Sequence, residues 1–180
     1  MFAGSSAYAV GQSNADVASE SVDIAFDYQR GGIASSQYAI WVEDAAGKPV
    51  RTLFVTRFTA TRGFSERPDA VPTWVARANP AQMTPDQVDA VSGATPSNGR
   101  LHYIWDGKDD QGKTVSAGTY TVFLEGTLYW NTRVLYSAQV QWGGPSSASL
   151  PVKVRKNGTS DRNKDMLDNV KSTHTMAVQP

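Results

Sequence analysis

Apolar side chains recur at every second position in several separate stretches, and this period constrains the fold more than any other feature. Val134, Tyr136, Ala138, Val140 and Trp142 make the clearest run. Successive side chains of a strand point to opposite faces, so such a run builds a sheet with one face on a core. Val22, Ile24, Phe26 and Tyr28 repeat the pattern, as do Leu101, Tyr103 and Trp105, and Tyr120, Val122 and Leu124. Tyr38, Ile40 and Val42 alternate with Trp41 on the opposite face, and Asp44-Ala-Ala-Gly47 supplies turn chemistry before a return strand from Pro49 to Thr56. Leu150, Val152 and Val154 add one more. About seven strands with antiparallel-style connections predict an all-β fold, an immunoglobulin-like β-sandwich over residues 21–156.

Three regions lack this period. Residues 1–20 are small and polar and read as a flexible N-terminal segment, in which Ala7-Tyr8-Ala9 has the small-residue form cut by leader peptidases. Residues 157–180 read as a polar C-terminal segment, with a short helix over Asp161–Val170 placing Met166, Leu167 and Val170 on one face. Between Thr59 and Asn98 lies a long inter-strand insertion, for which two short helices are predicted. One runs from Pro72 to Ala78; the other opens at Thr84-Pro85-Asp86-Gln87, with a capping threonine, proline at the first helical position and glutamine three after the cap, and stops at Ser92-Gly93.

Composition removes several classes of function. Seventeen basic and seventeen acidic side chains leave no net charge, so the broad electrostatic footprint of a nucleic-acid or anionic-membrane binder is missing. The absence of cysteine excludes disulfides, thiolate catalysis and cysteine-based metal sites. No apolar run reaches the length of a transmembrane segment. His102 and His174 are the only histidines and suit neither a metal pair nor a catalytic dyad. Asp106, Asp109 and Asp110 miss the calcium-loop template, because Lys108 and Gln111 intervene and no glutamate closes the loop. Arg57, Arg62 and Arg67 read as a phosphate grip or a solvated face. Trp74, Trp105, Trp130 and Trp142 read as core pieces or stacking surfaces, and Trp130, beside Tyr129 and Asn131 in a turn, is the one placed for exposure.

The run Trp105-Asp-Gly-Lys-Asp-Asp-Gln-Gly-Lys-Thr-Val-Ser-Ala-Gly-Thr-Tyr120 resembles the corner hairpin of the immunoglobulin-like domain of flagellar hook-capping proteins, with Ser116 where proline is usual. Taken with Tyr38 to Arg57 and the Pro-Thr-Trp74 segment, the chain from Ser21 to about Val170 resembles a family of predicted periplasmic proteins of unknown function, often mislabelled as hook-capping proteins. The resemblance implies an exported, periplasmic location. It also implies a setting beside flavin transferases and membrane redox proteins of the PepSY type.

Against that setting Asp89-x-x-Ser92-Gly93-Ala94-Thr95 is similar to the acceptor motif of ApbE-type flavin transferases, in which the last hydroxyl takes FMN from FAD. The residue types suit the chemistry: Gly93 and Ala94 keep the approach narrow and flexible, and Thr95 supplies the oxygen. An alcohol is a weak nucleophile, so base and metal belong to the transferase acting in trans. The expectation is a covalent FMN carrier that moves electrons and is not itself an enzyme. Two other readings stand beside it: a cofactor-free structural module of the hook-capping type, for which Ser92-Gly93-Ala94-Thr95-Pro96 is a helix stop and loop, and a carbohydrate-binding sandwich with Tyr129 and Trp130 as platform.

Overall fold

The computed structural model describes residues 20–32 and 36–176. The N-terminal segment with Ala7-Tyr8-Ala9 therefore lies outside the described residues. Ten strands and three short helices follow in the order β1 (Ser21–Tyr28), β2 (Tyr38–Asp44), β3 (Pro49–Thr56), α1 (Phe64–Glu66), α2 (Pro72–Ala78), α3 (Pro85–Val91), β4 (Ser92–Gly93), β5 (Gly99–Trp105), β6 (Gly118–Tyr129), β7 (Thr132–Trp142), β8 (Ser147–Leu150), β9 (Val152–Asn157) and β10 (Leu167–Thr175). They form a four-stranded sheet in the order β5-β1-β10-β8 and a six-stranded sheet in the order β4-β3-β2-β6-β7-β9. The chain is the all-β sandwich expected, with more strands than the alternation displays.

The core lies between the sheets and is made by the residues that carry the alternation. Val22, Ile24, Phe26 and Tyr28 of β1 face Tyr38, Ile40 and Val42 of β2, with Val122 and Leu124 of β6 and Val140 and Trp142 of β7 completing the wall. Trp105 and Trp142 meet at 4.6 Å between ring centroids and close one end of it. Gly107, at φ 72°, turns the corner after Trp105 where a Cβ would collide with the Trp142 ring, so only glycine fits. The aspartates of that corner are occupied within the fold: Asp109 Oδ1 accepts the Gln111 and Lys113 N–H groups of the turn, and Asp110 Oδ1 accepts the N–H of Thr52 on β3.

The insertion covers the part of the outer face of the six-stranded sheet around β2 and β3 and adds a third layer there. Trp41, Ala39 and Val55 point outward from that sheet into a second cluster with Val71 and Trp74, and Val75, Met83, Val88 and Val91 pack around it. For this reason β2 is buried on both faces. Two buried carboxylates pin α2 to the sheet. Glu125 on β6 accepts the N–H groups of Thr73 and Trp74 and the Thr73 hydroxyl, with Arg133 Nε 3.6 Å away. Burial pushes its carboxyl above the ordinary range even though these donors pull it down. At the other end, Glu43 Oε1 takes the Trp41 indole N–H at 2.8 Å and Arg77 Nε at 3.2 Å.

Two expectations are corrected at the C-terminal end. Leu150 to Val154 is two strands rather than one. Proline at 151 offers no N–H, and there the chain leaves the four-stranded sheet, where Leu150 pairs Ser172, for the six-stranded sheet, where Val152 pairs Ala138. The short helix expected over Asp161–Val170 is absent; its last residues open β10, which runs between β1 and β8. The sandwich thus extends past residue 156 to Thr175, and most of the C-terminal segment is part of it. The alternation is hidden in β10 because two of its inward positions are polar, and each has a partner: Ser172 Oγ donates to the Asp23 carbonyl at 3.0 Å, and His174 Nε2 meets Glu20 Oε1 at 2.8 Å.

Candidate functional site

The residues 89–95 run from the last turns of α3, through the short strand β4, to the linker that leads to β5. Helix α3 begins as its sequence predicts: Thr84 Oγ1 accepts the Gln87 N–H, the Gln87 side chain accepts the Thr84 N–H, and Pro85 occupies the first helical position. Asp89 projects from this helix into solvent and pairs with Arg57 at 2.7 Å. Ser92 caps the C-terminal end and enters β4, where Ser92 and Gly93 pair in parallel with Val55 and Thr56 of β3. The Ser92 hydroxyl is buried without a hydrogen-bond partner among the described residues.

Gly93 is therefore not a loose hinge. It lies on the Phe54 ring so closely that a Cβ would stand 2.7 Å from Cε2. Close approach, more than flexibility, explains a glycine here. Ala94 is exposed, and Thr95 and Pro96 are half-buried. Beyond them Asn98 Oδ1 accepts the N–H of Arg30 at 2.8 Å, which fixes the far end of the linker beside the end of β1. Residues 94–98 thus cross from the edge of one sheet to the edge of the other, since β4 and β5 are both edge strands.

Thr95 opens onto a cleft of ≈ 610 Å³ that it shares with Arg30, Ser36, Gln37, Phe58, Arg67 and Trp130. No described residue is hydrogen-bonded to its hydroxyl. Trp130 sits at the tip of the hairpin between β6 and β7, 58% exposed, with its backbone in the left-handed region at φ 47°. The Arg67 guanidinium lies 5.9 Å from the Trp130 ring, and its Nη2 is buried with no described partner. Gln37 is buried at the base, and its Oε1 accepts the hydroxyls of Thr56 and Thr59. Asp89 does not reach this cleft. It lines a separate, smaller depression with Arg57, Pro85 and Val88, so the motif's acid and its hydroxyl face different surroundings.

Arg30, Ser36, Gln37 and Phe58 carry no local signal that would gather them with Thr95. The three arginines considered together part company: Arg57 is paired with Asp89, Arg62 is paired with Glu66 at 3.5 Å, and Arg67 alone enters the cleft. The histidines remain apart in function. His102 is exposed on β5 and 3.2 Å from Asp23, while His174 is buried on β10 beside Glu20. Among the described residues no cluster of histidine and carboxylate side chains is arranged to hold a metal ion, and no helix is long and apolar enough to cross a membrane.

No curated protein and no solved structure matches the chain. A family model does, over residues 20–161, which takes in the six-stranded sheet, the helical cover, the Thr95 cleft and every strand of the smaller sheet except β10. The chain belongs to the family of predicted periplasmic proteins designated DUF2271.

Proposed function

We propose that this protein is a periplasmic electron carrier that holds FMN covalently on Thr95. The observation that carries the reading is the joint placement of Thr95, two arginines and an exposed tryptophan around one cleft large enough for a cofactor. Phosphate suits the guanidinium groups and a planar heterocycle suits the indole, so the residues present fit the group. Attachment forms a bond from Thr95 Oγ to the riboflavin-side phosphorus of FAD and breaks the diphosphate P–O bond. AMP leaves, and the hydroxyl proton passes to a base of the transferase. This chain supplies only the acceptor oxygen and its presentation: Ser92 and Gly93 are held in β4, Asn98 is held at Arg30, and the hydroxyl between these anchors is unengaged by any described residue.

Bound FMN supplies one- and two-electron transfer, and a membrane redox protein of the PepSY type is the partner proposed to exchange those electrons. The rival, a cofactor-free module of the hook-capping type, draws on the Trp105–Tyr120 corner, whose aspartates accept hydrogen bonds within the fold.

Co-expression with a flavin transferase separates the two readings. The expected product is a yellow protein whose mass exceeds that of the polypeptide by one FMN residue, with both features lost in Thr95→Ala. Unmodified wild-type protein under those conditions overturns the carrier reading.

A further inference from the structure

We infer that the flavin joined to Thr95 docks back into this chain's own cleft, stacked on Trp130 with its polar edge toward Arg67 and Gln37 and its phosphodiester beside Arg30. The inference rests on the carrier reading and adds to it: the attached ring is held rather than left swinging on a tether.

Three features of the cleft call for a ligand with an aromatic plane and acceptor atoms. Trp130 exposes more than half of its surface although it is the largest side-chain type, and it does so from a left-handed backbone that a residue other than glycine adopts at a cost. The Arg67 guanidinium beside it has a buried nitrogen with no described partner, and a desolvated donor of that kind is stabilised by an acceptor brought to it. Gln37 has committed its carbonyl oxygen to two threonine hydroxyls, so the groups it has left to offer are its two amide N–H donors. The pyrimidine-like edge of a flavin carries carbonyl oxygens and ring nitrogens that accept such bonds, and its tricyclic plane suits the indole.

Placement of the two cations follows from their anchors. Arg30 lines the cleft with Thr95 and its backbone is held to Asn98 on the same linker, so its guanidinium is assigned to the phosphodiester. Arg67 lies 5.9 Å from the Trp130 ring and is assigned to the flavin ring. A phosphodiester carries a single negative charge, which one guanidinium satisfies. The second is left for the ring edge, where reduction deposits negative charge, so a docked flavin is easier to reduce than one in solution. Tethering makes this docking intramolecular, with an effective concentration in the millimolar range for a short link, so even a weak cleft is filled.

The test uses the protein flavinylated in the cell by a transferase, in wild-type form and as Trp130→Ala, Trp130→Phe and Arg67→Gln, with mass spectrometry confirming one FMN on each. Flavin emission and its anisotropy are read before and after unfolding in urea, which leaves the covalent link intact. In the wild type, emission is expected to be quenched and anisotropic when folded and to rise on unfolding. Trp130→Ala is expected to lower the docked-to-free ratio on the order of tenfold, the loss of one aromatic stack on a heterocycle, while Trp130→Phe retains most of it. Arg67→Gln is expected to keep the stack but lower the midpoint potential. Full FMN loading with emission unchanged by unfolding and by Trp130→Ala overturns the docking inference alone. Absence of FMN from the wild type overturns the carrier reading with it, and the mass spectrum distinguishes the two.

Discussion

Gly93 rests against the edge of the Phe54 ring with no room for a side chain between them, so the approach to Thr95 is fixed by packing in the sandwich. Gly93→Ala is expected to lower stability by about 1–3 kcal/mol, the usual result of forcing one methyl group into a filled site. Phe54→Leu in the same background is expected to recover part of the loss, because the clash is with the ring. Thermal denaturation of the three variants checks this. Additive effects in the double variant would show that the two side chains do not meet.

Asp89 and Arg57 form an exposed pair, and exposed pairs contribute roughly 0–1 kcal/mol. Asp89→Asn is therefore expected to leave the melting temperature almost unchanged. If the acid is read by the transferase, the same variant slows FMN attachment sharply. Measuring attachment rate and melting temperature on one preparation separates recognition from folding.

Glu125 provides a pH signature. Burial raises its pKa above the ordinary value, so the folded state holds this proton more tightly than the unfolded state. Above about pH 4, where an unfolded glutamate ionises, its contribution to stability falls as pH rises until the folded group has ionised too. Glu125→Gln removes that component, and the difference in melting temperature between wild type and variant is expected to change with pH over this window. Glu125→Ala strands the N–H groups of Thr73 and Trp74 together with Arg133 and is expected to cost about 3 kcal/mol.

Buried Tyr38 and half-buried Tyr103 share a hydrogen bond of 2.6 Å between their hydroxyls at the edge of the core. Burial raises the pKa of both, and of Tyr28 beside them. Since the folded state keeps these protons, alkaline conditions favour the unfolded chain above about pH 10. Tyrosinate absorbance for these three side chains is expected to appear together with the loss of near-ultraviolet circular dichroism. A separate, earlier ionisation with the fold intact would contradict the buried placement.

Much of the sandwich was legible because one physical rule produces it. Wherever a strand has one apolar face, as in β1 and the C-terminal half of β7, the period of two is visible. Helices α2 and α3 were legible through proline, and α3 also through the reciprocal Thr84–Gln87 cap, all of which act within one turn. Strand β10 was not legible. Its buried Ser172 and His174 look solvent-facing until Asp23 and Glu20 are seen to satisfy them. Thr95 was legible as a motif, whereas its surroundings were not: Arg30 and Gln37 come from the β1–β2 connection, Phe58 and Arg67 from the stretch between β3 and α2 and Trp130 from the β6–β7 turn, and only the closed sandwich gathers them. The buried Glu43 and Glu125 escaped for the same reason, since a glutamate in a strand reads as exposed until a helix is laid over it.

The pairing of β1 with β10 also dictates when this molecule can fold. Ser21 lies opposite Thr175, and the four-stranded sheet has β10 in its interior, so that sheet cannot assemble until the segment Leu167–Thr175 is available. Pairings this distant in sequence place all-β domains at the slow end of folding, on the order of milliseconds to seconds. A chain crossing a membrane with its N-terminus leading would carry β1 through with its eventual partner still on the far side. Its topology delays closure of this sandwich until β10 has crossed, which suits a protein that matures in the periplasm.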